Sequence, residues 1–219
     1  MKGARIPEAT IVRLSVYSRY LQYLEDHGVT RVSSQEIAEG VDGTSAQVRK
    51  DLAYFGEFGT RGVGYDVVHL NQNLKNILGL HQPRTVVIVG AGRLGRALTL
   101  YNGFKERGFH IKGIFDKDMS KVGIEVGDLA ISPLYKLDEF IKKNKIQIGV
   151  VTVPVNAAQE TVDLLVGAGI QAILNFAPKK IIVPDHVKLR NVDLSVNMEV
   201  LSFYMEQDKE KGGHYDEIS

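Results

Sequence analysis

The chain has 219 residues, a formal net charge of +1 and 44 % hydrophobic residues, which suits compact folded domains rather than a fibrous or disordered chain. It contains no cysteine, which excludes disulfides, thiolate metal sites and thiol-based redox switches. No apolar run approaches the ~20 residues of a membrane span, and no signal-peptide pattern follows Lys2 and Arg5. We therefore expect a cytoplasmic protein. The six histidines lack ligand-like spacing and predict no metal site.

The first eighty residues have the pattern of a helical domain. A long helix is predicted to begin at Pro7-Glu8 and to end at Gly28. Capping boxes begin at Ser33 and Thr44, so two further helices should flank a glycine-bearing turn. The second of these is expected to run through Phe55. Such a pair is typical of a helix-turn-helix, although a plain helical hairpin fits this feature equally well.

The segment 54–65 favours the DNA-binding interpretation. It alternates aromatic or apolar residues with glycines around one arginine, as a short hairpin with a tight tip would, and so predicts a wing. Side chains on the second helix can reach base edges or phosphates, and the wing arginine can enter a minor groove. The predicted DNA-contacting residues are Ser45, Gln47, Arg49, Lys50, Arg61 and Gly62. Residues 1–80 carry nine basic and nine acidic residues, so a basic surface requires local placement and doubling in a dimer.

A buried strand, 86–89, then leads into the glycine-rich pattern G-x-G-x-x-G at 90–95. Helical spacing of apolar residues follows over 93–107, and a second strand ends at Asp116, 21 residues after Gly95. Strand, loop, helix and acid together form the fingerprint of a dinucleotide-binding βαβ unit. The predicted phosphate-binding loop is Gly90, Ala91, Gly92, Arg93, Leu94 and Gly95. Asp116 can accept hydrogen bonds from a ribose diol and favours NAD(H) over NADP(H), although the neighbouring Lys117 weakens that preference.

Strands and helices alternate from here to about residue 193, which predicts a doubly wound parallel sheet. Helices are predicted over 134–143 and 156–168, and strands over 146–153, 170–176 and 187–194. Two strand ends are predicted to line a nicotinamide pocket, although prolines also commonly follow strands that have no binding role. The residues concerned are Thr152, Val153, Pro154, Asn175 and Phe176.

The predicted α/β architecture has four parts along the chain. They are a winged helix-turn-helix DNA-binding domain (1–80), a Rossmann NAD(H)-binding domain (81–194), a helix (195–207) and a disordered tail (208–219). The 195–207 helix has apolar residues over too wide an arc for a one-sided surface helix. It is predicted either to dimerise the chain or to fold back on its own sheet.

The sequence resembles the Rex redox-sensing transcriptional repressors of bacteria. The resemblance covers nearly the whole chain and is carried by several strings in fixed order. These strings are Gln47-Val48-Arg49-Lys50-Asp51-Leu52, Tyr54-Phe55-Gly56, Gly59-Thr60-Arg61-Gly62-Val63-Gly64-Tyr65, Gly90-Ala91-Gly92-Arg93-Leu94-Gly95, Thr152-Val153-Pro154 and Asn175-Phe176-Ala177-Pro178.

The resemblance implies a homodimer whose winged helices bind a palindromic operator and whose Rossmann domains bind NADH or NAD⁺. NADH binding would release the DNA. By position, Tyr101 would lie near the nicotinamide, Arg19 would pair with Asp193 of the other subunit, and Arg61 would be the minor-groove arginine of the wing. The last helix would swap across the dimer.

Two other classes of protein remain alternatives at this stage. An NAD-dependent oxidoreductase with an accessory helical domain requires a general acid or base beside the nicotinamide, and Tyr101 is the available candidate. The second alternative is a nucleotide-binding regulatory subunit that binds another protein through its N-terminal domain. It would leave the glycine-rich wing without a role. We expect a DNA-binding protein with no catalytic residues, and not an enzyme.

Overall fold

The computed structural model of the chain describes residues 6–60 and 62–212. The chain divides between Gln82 and Pro83 into two compact units. We call them the N-terminal and C-terminal units. Each unit has its own hydrophobic core.

The N-terminal unit contains helices α1 Glu8–Asp26, α2 Ser34–Glu39, α3 Ser45–Ala53 and α4 Val67–Ile77. Its three short strands are β1 Arg31–Val32, β2 Gly59–Thr60 and β3 Gly64–Asp66. The capping box predicted at Ser33 is present, and Thr44 caps α3 by accepting a hydrogen bond from the Gln47 backbone N–H. Helix α3 ends at Ala53, two residues earlier than the predicted Phe55.

The predicted wing forms as an antiparallel hairpin of β2 and β3, and β1 pairs with the other edge of β3. The start of β3 requires glycine. Gly64 has φ +83°, and a Cβ there would lie 2.6 Å from the carbonyl oxygen of Val32, so β1 and β3 approach closely at this point. Arg61, the predicted minor-groove residue, lies outside the described residues.

The C-terminal unit is built on a sheet of seven strands in the order β10-β9-β8-β4-β5-β7-β6. Their bounds are β4 Arg84–Val89, β5 Phe109–Asp116, β6 Glu125–Val126, β7 Leu129–Pro133, β8 Ile148–Val151, β9 Ala172–Asn175 and β10 Lys188–Asn191. All neighbours are parallel except β6, which pairs antiparallel with β7. The six parallel strands have the order of a Rossmann fold, so the predicted doubly wound sheet is confirmed.

The central strand β4 is buried on both faces of the sheet. Val87 and Val89 belong to the core on one face, whereas Val86 and Ile88 belong to the core on the other. A continuous β-branched run is what such a strand requires, since both side-chain directions meet apolar neighbours. Helices α5 Arg93–Thr99, α6 Asn102–Glu106, α7 Leu137–Asn144, α8 Ala158–Gly167 and α9 Leu194–Gly212 complete the unit.

The single helix predicted over 93–107 is wrong, because the structure has two short helices with a break at Tyr101. Tyr101 has extended backbone angles (φ −76°, ψ 105°) and precedes α6. Its ring lies over Gly103, where an added Cβ would be 2.5 Å from the ring. The Thr99 hydroxyl also bonds the Gly95 carbonyl at 2.8 Å, a local competition that disfavours regular helix.

The last helix differs from its predicted bounds at both ends. It begins at Leu194 and continues to Gly212, through residues 208–212 that were predicted to be disordered. The remainder of that predicted tail, 213–219, lies outside the described residues. Eight large apolar side chains on α9 are about half exposed or more in the single chain. They are Leu194, Val196, Met198, Val200, Leu201, Phe203, Tyr204 and Met205.

Candidate nucleotide and nucleic-acid sites

The glycine-rich loop lies where the strand order of the sheet reverses. Strand β4 has β5 on one side and β8 on the other, and the carboxyl ends of β4 and β8 open into a cleft of about 660 Å³. Ligands of doubly wound sheets bind in this position.

Each glycine of the loop has a different steric role. Gly90 has φ +108°, and a Cβ on it would lie 2.7 Å from the Thr152 carbonyl group. A Cβ on Gly95 would overlap the carbonyl oxygen of Gly90. A Cβ on Gly92 would meet nothing within 4 Å, so that side of the loop is open to a ligand. Gly90 and Gly95 therefore shape the loop, whereas Gly92 leaves room for something outside the chain.

Asp116 is 7 % exposed and holds the loop against the end of β5. Its Oδ2 accepts a hydrogen bond from the Ala91 backbone N–H at 2.8 Å, and its Oδ1 accepts one from Asp118 N–H at 2.9 Å. Lys121 Nζ lies 2.9 Å from Oδ2. A carboxylate offers about four lone-pair positions, so capacity for one further donor, such as a ribose hydroxyl, remains.

The Asp116 carboxyl group is ionised at neutral pH. Burial is the largest single influence and opposes ionisation, but the N–H of Asp118, the Lys121 ammonium and the N–H of Ala91 together hold its pKa below the usual value. The end of β5 therefore presents a carboxylate that Lys121 partly neutralises. A carboxylate at this position suits a neutral diol better than a second anion.

The structure brings most of the predicted cofactor-binding residues to this cleft. The predicted residues that line it are Gly90, Gly92, Arg93, Leu94, Asp116, Thr152, Val153 and Pro154. Ala91 and Gly95 are buried behind the loop. The Thr152 hydroxyl donates to the carbonyl oxygens of Gly90 at 2.8 Å and Val89 at 3.1 Å, so it fixes the loop from the β8 side.

Three further predicted residues lie away from the glycine-rich loop and do not line the cleft. Tyr101 is 58 % exposed, packs edge-on against Phe104 at 5.2 Å and lines a separate depression of about 280 Å³. Asn175 is fully buried and bonds Ala177 and Asn191 through its amide. Phe176 packs against the core on one face of the sheet. The roles of these residues beside a nicotinamide remain predictions.

Sequence reasoning missed several residues of the cleft. Lys121 reaches Asp116 from a short 3-10 turn that follows β5, and only the structure shows the contact. Glu160, Thr161 and Leu164 enter the cleft from α8. Their i, i+1, i+4 spacing places them on adjacent parts of one helix face, but many surface helices share this spacing.

In the N-terminal unit, one buried carboxylate connects α3 to α1. Asp51 is fully buried and accepts hydrogen bonds from four side chains. We call Asp51 and these four residues the Asp51 cluster. The donors are Thr10 Oγ1 (3.1 Å), Arg13 Nε (2.6 Å) and Nη2 (2.8 Å), Tyr17 Oη (2.9 Å) and Gln47 Nε2 (2.9 Å). The first three residues lie on α1, so the cluster sets the orientation of α3 relative to α1.

The charges of the cluster are mutually stabilised. Burial opposes ionisation of Asp51, but hydrogen bonds from Arg13, Tyr17, Gln47 and Thr10 hold its pKa below the usual value. The hydrogen bond to Asp51 raises the pKa of Arg13. Burial, followed by the bond to Asp51, raises the pKa of Tyr17 to about 12. The cluster is therefore a charged, fully bonded junction at neutral pH.

The predicted DNA-contacting residues of α3 differ in exposure and in their hydrogen bonds. Arg49 and Lys50 are exposed, and Arg49 Nη1 donates to Ser34 Oγ on α2 at 3.0 Å. Ser45 and Gln47 are half-buried. Arg49 also lines a cleft of about 780 Å³ between the helices and the wing, and the predicted Gly62 lines its opposite side.

The two predicted switch residues lie in different units. Arg19 is exposed on α1. Asp193 is exposed just before α9, and its Oδ1 accepts hydrogen bonds from the Ser195 backbone N–H at 3.0 Å and hydroxyl at 2.6 Å. These bonds hold the pKa of Asp193 below the usual value. Asp193 thus stabilises the start of α9, and its pairing with Arg19 of a second subunit stays a prediction.

Within residues 6–60 and 62–212, no helix is both long and apolar enough to cross a membrane. In the same residues, no three side chains of the types that bind metal ions converge on one point.

Comparison with known proteins places both units in families. Residues 5–53 match the family described as putative DNA-binding protein N-terminus, and residues 81–179 match the CoA binding domain family. The chain is 56 % identical to the redox-sensing transcriptional repressor Rex of Pelotomaculum thermopropionicum, over 97 % of this chain and 100 % of the relative. It is 46 % identical to that of Streptomyces griseus, over 91 % of this chain and 79 % of the relative.

Solved structures agree with these relatives over both units. The Rex-family repressor RSP in complex with β-NAD⁺ and operator DNA has 40 % sequence identity and a TM-score of 0.88, and the match covers 99 % of this chain and 100 % of that chain. The same repressor in complex with β-NADH has 39 % identity and a TM-score of 0.86, with 96 % and 99 % covered.

Fold and sites together define a protein with an N-terminal DNA-binding unit and a Rossmann-type nucleotide-binding unit. With this level of identity over nearly its whole length, the chain belongs to the Rex family of redox-sensing transcriptional repressors.

Proposed function

We propose that this chain is an NADH-responsive transcriptional repressor that binds a palindromic operator as a homodimer and is released when NADH occupies the Rossmann cleft. The observation that carries the proposal is the presence in one chain of a winged helix-turn-helix and a glycine-rich cleft with an acidic ribose position. Its relative RSP forms complexes with NADH and with NAD⁺ plus operator DNA. The protein acts in the cytoplasm and is not an enzyme.

The cleft holds the cofactor through backbone and carboxylate groups. The backbone N–H groups at the start of α5, beside Gly92, would hold the pyrophosphate, and Asp116 would accept a hydrogen bond from the adenosine ribose. Val153 and Pro154 line the cleft and would form an apolar wall beside the nicotinamide. The cofactor supplies a ring that is cationic when oxidised and neutral when reduced. An apolar wall disfavours the cation because it removes water from the charge.

Linkage then relates cofactor binding to DNA binding. NADH can release the operator only to the extent that it binds the released dimer more tightly than the DNA-bound dimer. A tenfold difference corresponds to about 1.4 kcal/mol per site, and two sites in a concerted dimer double it. A modest preference is therefore sufficient for regulation.

Exposed apolar surface supports the homodimer. Besides α9, the C-terminal unit has an apolar groove of about 360 Å³, lined by the half-buried Phe104, Phe109, Ile111, Ile148 and Leu174. Contiguous apolar surface of this kind marks interaction sites in soluble proteins. The domain-swapped packing of α9 is part of the proposal.

The decisive experiment is operator binding by fluorescence anisotropy at fixed salt. The full-length protein first selects a palindromic duplex from a randomised pool, and its affinity is measured with no cofactor, with NAD⁺ and with NADH. We expect a sequence-specific complex that dissociates when NADH is added and persists when NAD⁺ is added. Absence of any sequence-specific complex would refute the proposal. Tyr101, the candidate acid named for the oxidoreductase alternative, lies outside the lining of the cleft.

Replacing Asp116 with asparagine is expected to weaken NADH binding about tenfold and to reduce the discrimination against NADPH. Both carboxylate oxygens accept backbone N–H bonds, and an amide can satisfy only one of them. The neutral side chain also no longer repels a 2′-phosphate. Nicotinamide fluorescence gives both affinities. Asp185→Asn is the matched control, because Asp185 is exposed and does not line the cleft. An unchanged NADH/NADPH ratio in Asp116→Asn would contradict the assignment.

A further inference from the structure

The orientation of the Gln47 amide is determined by its neighbour. Nε2 of Gln47 lies 2.9 Å from Oδ1 of Asp51. The oxygen and nitrogen of a glutamine amide are ordinarily hard to distinguish, but an ionised carboxylate can only accept hydrogen bonds. The amide nitrogen must therefore face Asp51, and Oε1 must point away from it.

Asp51 is a firm anchor for this amide. It is fully buried, it pairs with Arg13 at 2.6 Å, and its pKa lies below the usual value, so it remains an acceptor throughout the neutral range. The remaining donors, Thr10 and Tyr17, attach it to α1. Gln47 is thus connected through Asp51 to the body of the N-terminal unit, which limits the rotamers it can adopt.

The bond to Asp51 leaves a defined pattern on the Gln47 amide. A glutamine amide has two N–H donors and one carbonyl oxygen, and one N–H is used. Among the described residues no group donates to Oε1. One donor and one acceptor, side by side, therefore remain. In the major groove, adenine alone offers the matching pair, the N7 acceptor and the N6 donor. Guanine presents two acceptors there, and one of them would face Oε1.

Gln47 is also in a position to use this pattern. It lies in the first turn of α3, where the Thr44 hydroxyl accepts its backbone N–H at 3.3 Å, and it is half-buried rather than covered. The N-terminal residues of a recognition helix are those that contact base edges. Arg49 and Lys50, on the same helix, are exposed and can contact phosphates.

We propose that Gln47 reads an adenine in each half-site of the operator, and that Asp51 is a positioning residue that orients the Gln47 amide for this contact. The proposal rests on the proposed function, because it requires α3 to enter the major groove. It adds a base preference and a cause for that preference.

The test uses full-length protein and the duplex that the wild type selects from a randomised pool, with each base pair then replaced in turn. Anisotropy at fixed salt gives the affinity for every duplex. We expect replacement of one adenine per half-site to weaken binding by the wild type about 10- to 100-fold. Gln47→Ala should lose that preference at this base pair only. Asp51→Ala should lose the same preference although Gln47 is present.

Asn71→Ala is the matched control. Asn71 is also a buried polar residue of the N-terminal unit, and it forms hydrogen bonds with Ser18, Gln22 and Glu25 on α1. None of these three bonds involves α3. It should lose stability but keep the adenine preference, which separates positioning from general destabilisation.

Each part of the proposal can be overturned separately. If Gln47→Ala keeps the wild-type preferences, or loses a preference for a base other than adenine, the base contact is refuted. If Asp51→Ala folds and keeps the adenine preference, the positioning role is refuted. If Asp51→Ala does not fold, a crystal structure of the wild-type complex decides, because Nε2 must then bond both Asp51 and adenine N7. A wild type that selects no sequence refutes the proposed function itself.

Discussion

Replacing Gly92 with alanine is expected to weaken NADH binding at least about tenfold while leaving the stability of the chain unchanged. Gly92 has φ −76°, which any residue adopts, and a Cβ there meets nothing within 4 Å of the chain. The added methyl group therefore costs nothing in the free protein. It occupies the space that a pyrophosphate needs to approach the backbone N–H groups of the loop.

Gly95→Ala is the matched variant for this prediction. The new Cβ would overlap the carbonyl oxygen of Gly90 and lie 2.8 Å from the Thr152 hydroxyl, so α5 must shift away from the loop. Overpacking of this kind costs about 3 kcal/mol. Circular dichroism should show a lower Tm for Gly95→Ala alone, whereas nicotinamide fluorescence should show weaker binding by both variants. Wild-type affinity in Gly92→Ala would contradict the pyrophosphate position, and so would an equal loss of Tm in both.

Replacing Asp51 with alanine is expected to destabilise the N-terminal unit by about 3 kcal/mol at pH 7. The change leaves the Arg13 guanidinium and the buried hydroxyls of Thr10 and Tyr17 without their acceptor. Hydrogen–deuterium exchange of the full chain localises the effect. Peptides from α1 and α3 should exchange about a hundredfold faster, and peptides from β4 and β5 should be unchanged. Unchanged exchange in α1 would show that the cluster contributes little.

The same cluster gives the wild type an acid-sensitive stability. Because the folded pKa of Asp51 lies below its unfolded value, its contribution is complete above the unfolded pKa of ~4. The contribution is lost as the pH falls from there through the folded pKa. The protection factors of α1, which correct for the pH dependence of intrinsic exchange, should therefore fall on acidification below ~4, and Asp51→Ala should lack this component. An equal acid response in both proteins would contradict this interpretation.

The sequence predicts the fold well wherever local chemistry determines it. The capping box at Ser33, the wing glycines and the β-branched run of β4 each have one structural solution, and each forms as predicted. The break at Tyr101 could not be predicted from periodicity. The apolar spacing of 93–107 is helical throughout, and the ring of Tyr101 over Gly103 is a contact that only the structure shows.

The residues of the two candidate sites also differ in how well the sequence predicts them. Backbone-determined positions such as Gly90 and Gly92 follow from the motif, because the motif describes the path of the main chain. Side-chain contacts that depend on how a turn or a neighbouring helix folds were missed. Lys121 meets Asp116 only after the 3-10 turn has formed, and Gln47 meets Asp51 as part of a cluster completed by α1.

The bond from Ala91 to Asp116 attaches the loop to the end of β5 through the chain's own groups, without a contact from a nucleotide. A preformed loop requires little loss of chain entropy on binding, so the adenosine end should contribute affinity at low entropic cost. That end of the cofactor is also chemically identical in NAD⁺ and NADH. A rigid contact with an unchanging group stabilises both forms equally, and equal affinity shifts no equilibrium. The glycine-rich half of the cleft therefore sets the total concentration of dinucleotide at which the protein responds. In the proposed function, the ratio to which it responds is determined at the nicotinamide end, which we place beside Val153 and Pro154.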